Sequence, residues 1–214
     1  MNKEQIKKAL EQLRKDSKKR NFDQSIDFIV NLRDLNIKKA EDNVDIFISL
    51  KTPSPKSFKI CAFVGKELIE KAKVFDKVIS DAEFIEYKDK DNIKKLSKEY
   101  DIFLAQASVM AKVATTFGKV LGPKGKMPNP KAGHVLMPTM DLEVIKKKVQ
   151  SSIRLKTKNE PIVKASIGKE SMTDDQLIDN FMTAYNALSH ALPKEEQNIA
   201  GIFIKKTMGK SVKV

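Results

Sequence analysis

A chain of 214 residues is long enough for one large domain or two ordinary ones. Its 41% hydrophobic and 32% charged residues place it among globular rather than disordered chains. Its 41 Lys and Arg outweigh 28 Asp and Glu to leave +13, which favours a polyanionic partner and puts nucleic acid first.

The first element is expected to be a helix from Lys3 to about Lys19, with Ile6, Ala9, Leu10 and Leu13 on one stripe. From Ser25 to Leu32, Ile26, Phe28, Val30 and Leu32 alternate with Asp27, Ile29 and Asn31, the period of a half-buried strand. Val44 to Leu50 repeats that pattern. Beyond the Pro-containing stretch Thr52 to Lys56 the rhythm changes. Lys59 to Val64 reads as a buried strand, Gly65 to about Lys73 as a helix, Lys77 to Ser80 as a short strand, Asp91 to Lys98 as a helix, and Asp101 to Ala105 as a third strand. Strands alternating with helices imply parallel βαβ units, so residues 60–152 are expected to form a doubly wound, Rossmann-like α/β domain closed by a helix from Leu142 to Gln150.

The final segment reads as a strand Ile162 to Ile167, a helix from Thr173 to about Leu192 and a strand Ile199 to Lys206. Thr173 with Gln176 three residues on forms a capping box, which marks that helix start. Neither end segment offers much core alone, whereas together they bury considerably more. Residues 1–59 with 153–214 are therefore expected to form one α+β sandwich domain. The α/β domain is inserted into it through two strands near Phe58 and Ser152, which can act as a hinge.

Charge is spread over the whole chain. Residues 1–60 hold 14 basic and 9 acidic residues, 61–150 hold 17 and 12, and 151–214 hold 10 and 7. The local asymmetry is sharper: no Asp or Glu occurs between Asp101 and Asp141, where Lys112, Lys119, Lys124, Lys126 and Lys131 lie. The run from Gly118 to Gly133 holds four of the eight glycines and three of the eight prolines. Such a loop lets backbone approach a ligand and presents lysines at low ordering cost, or else is a solvated surface. It is not a nucleoside-triphosphate loop, because Met127 follows Gly125-Lys126 where Ser or Thr is needed, and Val120 stands where the first glycine is needed.

The segment Leu121-Gly122-Pro123-Lys124-Gly125-Lys126-Met127-Pro128-Asn129-Pro130-Lys131 resembles the signature of the L-one family of large-subunit ribosomal proteins. Asn21-Phe22-Asp23-Gln24-Ser25, Ile167-Gly168-Lys169, Met172-Thr173-Asp174-Asp175-Gln176 and Thr207-Met208-Gly209 resemble it too, in order and spacing, so the resemblance covers nearly the whole chain. Gly125-Lys126-Met127 and Asn21-Phe22 are closer to archaeal and eukaryotic members than to bacterial ones. The resemblance implies a cytoplasmic protein of the ribosome's mobile stalk near the transfer-RNA exit site, a monomer when off the ribosome. Its partner would be large-subunit ribosomal RNA, with exit-site transfer RNA and its own messenger RNA, as a translational repressor, as further partners. The RNA contacts it implies are Asn21, Phe22, Ser25, Asp27, Gly168, Lys169, Thr207, Met208 and Gly209, with Lys119, Lys124, Lys126 and Lys131 as a secondary basic loop. Lys210 departs from the proline that commonly follows Thr-Met-Gly in the family.

The chemistry of those positions is consistent with RNA. Thr207-Met208-Gly209 offers a hydroxyl, a soft apolar side chain and bare backbone where a strand ends, the mixture suited to ribose hydroxyls and unstacked bases. Asp27 is either the polar face of a strand or an acceptor for a 2′-hydroxyl or base amino group. Phe22 is either core or a stacking ring, and Lys169 either a phosphate contact or an exposed turn lysine.

No enzyme is expected. His134 and His190 lie at unrelated positions, Cys61 reads as a buried strand residue, and no metal or cofactor set assembles. One cysteine cannot close an intrachain disulfide and suits a reducing compartment. The apolar runs fall short of a membrane span of about 20 residues, so no membrane partner is expected. The competing possibility is a nucleotide-binding or RNA-modifying enzyme on the doubly wound domain, for which Val64-Gly65-Lys66 supplies one glycine and no Gly-x-Gly-x-x-Gly.

Overall fold

The structure, a computed structural model, describes all residues except 1, 17, 19, 37, 38, 40, 41, 54, 56 and 57. In chain order the N-terminal part contributes α1 (Lys3–Lys15), β1 (Ser25–Leu32) and β2 (Asp45–Ser49). The middle contributes β3 (Ile60–Val64), β4 (Lys77–Ser80), α2 (Lys90–Glu99), β5 (Ile102–Gln106), α3 (Met110–Leu121), β6 (Val135–Leu136) and α4 (Leu142–Ser151). The return brings β7 (Ser152–Lys156), β8 (Ile162–Lys169), α5 (Asp174–Ala191), β9 (Ile199–Lys206) and β10 (Ser211–Lys213). These pack as two compact units, residues 1–55 with 151–214 and residues 56–150.

In the terminal unit β1 is the centre of an antiparallel sheet of order β10-β9-β1-β8, and β2 pairs with β7 in a separate ribbon. The alternation in β1 buries Ile26, Phe28, Val30 and Leu32 on one face, where α1 and α5 cover them. Phe28 meets Phe181 of α5 edge to face at 5.0 Å. Helix α5 starts on its capping box, the Gln176 N–H donating to Thr173 Oγ1 and the Thr173 N–H to Gln176 Oε1. Helix α1 buries Ile6, Ala9, Leu10 and Leu13 as its stripe requires. It ends at Lys15 rather than near Lys19, because no apolar residue follows Leu13 to continue the stripe, and residue 19 lies outside the described residues. The alternation expected over Val44 to Leu50 shrinks to β2, whose interior residues Ile46, Phe47 and Ile48 are all half-buried.

The middle unit carries a parallel sheet of order β4-β3-β5-β6. Its strands are buried on both faces: Cys61, Phe63 and Phe103 meet α2 and α3 on one side, while Ile60, Ala62 and Leu104 meet α4 on the other. That is why β3 reads as an unbroken apolar run rather than an alternation. The fold is thus α+β in one unit and doubly wound α/β in the other. Three expectations change. The single helix after Gly65 is two short 3-10 turns, Lys66–Leu68 and Lys71–Val74, which seat Leu68 and Ala72 within a short parallel crossover. Helix α3 occupies Met110–Leu121, so the run from Gly118 begins as helix. Phe58 lies outside any strand, while Ser152 opens β7.

Phe28→Ala empties a fully buried ring site and should cost about 3–5 kcal/mol in urea unfolding of the full chain. Phe22→Ala, at a 52% exposed ring, should change stability by less than about 0.5 kcal/mol.

Candidate nucleic-acid interface

Because β1 runs antiparallel to both β8 and β9, its first residues lie beside the last residues of its two neighbours. Three segments distant in sequence therefore meet at one end of the sheet: Asn21 to Asp27, Gly168 to Ser171 and Lys206 to Gly209. Thr207 extends the β1–β9 ladder by one rung, its N–H donating to the Ser25 carbonyl at 3.1 Å and its Oγ1 accepting from the Ser25 N–H at 3.2 Å. Phe22 and Met208 stand 52% and 61% exposed, the two large apolar side chains most open among the described residues of this unit. Asn21 and Lys210 are exposed as well.

Beneath this surface lies a network that holds the three segments together. Lys206, 2% exposed, donates to Glu170 Oε1 at 2.7 Å. Gln24, also buried, donates from Nε2 to Glu170 Oε2 at 3.3 Å and accepts the Met208 N–H on Oε1 at 3.2 Å. The Glu170 N–H donates to the Gln24 carbonyl at 2.8 Å. Around it, Lys169 Nζ donates to the Asp23 carbonyl at 3.0 Å, and the Asp23 carboxylate accepts from the Ser171 N–H and hydroxyl. Arg14 clamps the same turn from α1, donating to Asp174 and to the carbonyls of Glu170 and Met172. Gly168 is buried, and a Cβ there would stand 2.6 Å from Leu177 Cδ2 and 2.7 Å from Met172 Sδ, so the glycine serves close packing against α5. Lys169 and Gly168 thus shape the surface more than they offer side chains to it.

Lys206, Glu170 and Gln24 were not among the residues expected from sequence. The available signal was parity: Ile202, Ile204 and Lys206 share the inward side of β9, and a lysine on a core face must find a partner.

Asp27 points to the opposite face of the sheet, level with Ser166 on β8 and Lys205 on β9. Burial pushes its carboxyl above the usual range, with the Lys205 charge acting in the other direction. A raised folded-state value means the charged carboxylate opposes folding at neutral pH, and that penalty disappears as the group protonates on acidification.

The basic stretch of the middle unit divides in two. Lys119 is exposed on α3, and Lys131 is exposed in the turn ending at Gly133, whose φ of 72° suits glycine. Lys124 Nζ donates to the Ser97 hydroxyl, and Lys126 Nζ donates to the carbonyls of Ser97 and Tyr100 at 2.8 and 2.7 Å. These two ammoniums close the C-terminal end of α2, where free carbonyls and the helix dipole favour cations.

The crevice between β3 and β5, where a doubly wound sheet would take a nucleotide, is bridged by the Gly65 N–H donating to Gln106 Oε1 at 2.7 Å. Burial pushes the Cys61 thiol up to about 12 and the His134 imidazole down to about 4, so near neutral pH the one is a thiol and the other uncharged. Among the described residues no group of His, Cys, Asp or Glu is arranged for a metal ion, and no helix is long and apolar enough to cross a membrane.

A discontinuous α+β unit with an inserted parallel α/β unit, strongly basic and with a preorganised loop cluster at one sheet end, defines the class. A profile of the Ribosomal protein L1p/L10e family matches residues 13–210. The chain is 36% identical over 214 residues to the large ribosomal subunit protein uL1 of Pyrococcus abyssi, covering 99% of this chain and 95% of that one. It is 34% identical to those of Methanobrevibacter smithii and Nanoarchaeum equitans, covering 99% of this chain and 99% and 98% of theirs. The chain belongs to the Ribosomal protein L1p/L10e family and is of the archaeal type.

Two outcomes follow from the site. Lys206→Met leaves Glu170 facing Gln24 without its cation. Breaking a buried pair from one side costs about 3–5 kcal/mol, and the partial exposure of Glu170 puts the expected loss near the low end of that range. In chemical unfolding, Lys206→Met with Glu170→Gln should recover most of it. Asp27→Asn should raise the melting temperature near neutral pH, and the gain should vanish below the ordinary carboxylate range, where the native Asp27 is itself neutral.

Proposed function

We propose that this chain is a structural protein of the large ribosomal subunit, in the cytoplasm, that binds ribosomal RNA of the mobile stalk near the transfer-RNA exit site through the sheet end of its terminal unit. The same surface binds a similar fold in its own messenger RNA and so represses translation. Off the ribosome it is a monomer. The observation that carries this is the convergence of the three segments over a buried Lys206–Glu170–Gln24 network. Exposed Phe22, Met208 and Thr207 are thereby held in place before any ligand arrives, which lowers the ordering cost of binding. RNA recognition by shape, hydroxyls and unstacked bases needs such neutral donors, acceptors and apolar contacts more than it needs charge. Asp27, kept charged against a folding penalty, supplies an acceptor for a 2′-hydroxyl or base amino group. Lys119 and Lys131 give the middle unit a secondary, electrostatic contact to ribosomal or transfer RNA.

In a binding assay with a stalk RNA fragment, Thr207→Ala should weaken affinity about tenfold, the equivalent of about 1.4 kcal/mol, and Met208→Asp by more. Both residues are exposed, so thermal unfolding should hardly move. Unchanged affinity in both variants would remove the sheet end as the RNA site. Neutralising Lys119 and Lys131 should flatten the salt dependence of binding to whole large subunits while leaving fragment affinity nearly intact.

A further inference from the structure

The face of the β10-β9-β1-β8 sheet turned away from the helices has a definite chemistry. The strand register places Ser211, Lys205, Asp27 and Ser166 in one row across the four strands. The next row is Lys213, Phe203, Ile29 and Lys164, and beyond it Gly201 lies level with Asn31 and Ile162. All of these are half-exposed or exposed, in contrast to Ile202, Ile204, Phe28 and Val30 on the other face. An aromatic ring and an isoleucine therefore sit side by side at the middle of an open sheet. One lysine flanks them on each outer strand, about 15 Å apart across three strand spacings. The Phe203 ring leans over Gly201, where a Cβ would come within 3.3 Å of its Cε2, so the glycine leaves room for the ring to lie down along the sheet.

We propose that this face is a second nucleic-acid surface, on which Phe203 stacks an unpaired base of single-stranded RNA while Lys164 and Lys213 hold the adjoining phosphates. Charge complementarity selects the occupant: three lysines, Lys164, Lys205 and Lys213, surround the apolar pair, with Asp27 the one carboxylate in the three rows. A stacking ring inside a cationic surround is the arrangement that binds single strands with little sequence preference. The surface is continuous with the sheet end through the row of Asp27 and Lys205. It rests on the chain being an RNA binder, but on different atoms from those at Thr207 and Met208.

The test uses the full chain with two probes, a labelled octa-uridylate and polyphosphate, the latter carrying charge without bases. Phe203→Leu keeps an apolar side chain yet removes the stacking face. It should weaken octa-uridylate binding about tenfold and leave polyphosphate binding unchanged. Lys164→Gln with Lys213→Gln, both at exposed positions, should weaken both probes, and Thr207→Ala should alter neither. Equal octa-uridylate affinity in Phe203→Leu and the native chain, or no measurable binding by the native chain, would overturn the proposal. If Phe203→Leu melts early, the double lysine variant decides, and unchanged octa-uridylate affinity there would overturn it as well. Thr207→Ala retaining full affinity for the stalk fragment would contradict the sheet-end site and leave the Phe203 result standing by itself.

Discussion

The Lys206–Glu170 ion pair is the interaction on which the terminal unit's surface depends. A lysine on the core face of β9 could not be held there alone, since an unpaired buried ammonium is too costly. Glu170 follows β8 and reaches it at 2.7 Å, and Gln24, preceding β1, ties both to the Met208 backbone. Three chain segments are thus tied together by one charged network, in addition to the apolar packing of Gly168 against Leu177 and Met172. Buried ion pairs are weak sources of net stability compared with apolar replacements of the same volume, so their value here lies in fixing one loop arrangement.

The same logic separates the two kinds of charge in the molecule. A formal +13 attracts polyanions at long range. Two conspicuous lysines of the middle unit, Lys124 and Lys126, hydrogen-bond to Ser97 and Tyr100 at the C-terminal end of α2, Lys124 while still exposed. The proposed recognition surface instead consists largely of neutral groups on a rigid support, with Asp27 adding an acceptor that the fold keeps at some cost. Long-range attraction and local recognition are therefore assigned to different atoms.

Much of this was legible in the sequence, for reasons that can be stated residue by residue. In β1 buried and half-buried positions alternate throughout because one face packs on the core, β9 does the same from Gly201 onward, and α5 announces its start by the Thr173–Gln176 box. Helix α3 was hidden by Gly118 and the proline-rich run that follows, although Val113, Phe117, Val120 and Leu121 carry its stripe. The strand expected near Ser152 is β7, whereas β10 spans only Ser211–Lys213, too brief an alternation to stand out. The family's motif residues marked the sheet end, but the network supporting it joins residues more than 140 positions apart, a relation only the fold supplies. Likewise, whether Phe22 was core or surface depended on where β1 begins relative to the helices, not on its own neighbours in the chain.

The central claim is that the sheet end of the terminal unit, preorganised by Lys206, Glu170 and Gln24, is where RNA docks. Amide hydrogen exchange on the full chain with and without a stalk RNA fragment tests it most directly. Slowed exchange across residues 21–27, 168–171 and 205–209 is the predicted result; slowing confined to residues 119–131, with those three segments unchanged, would contradict it.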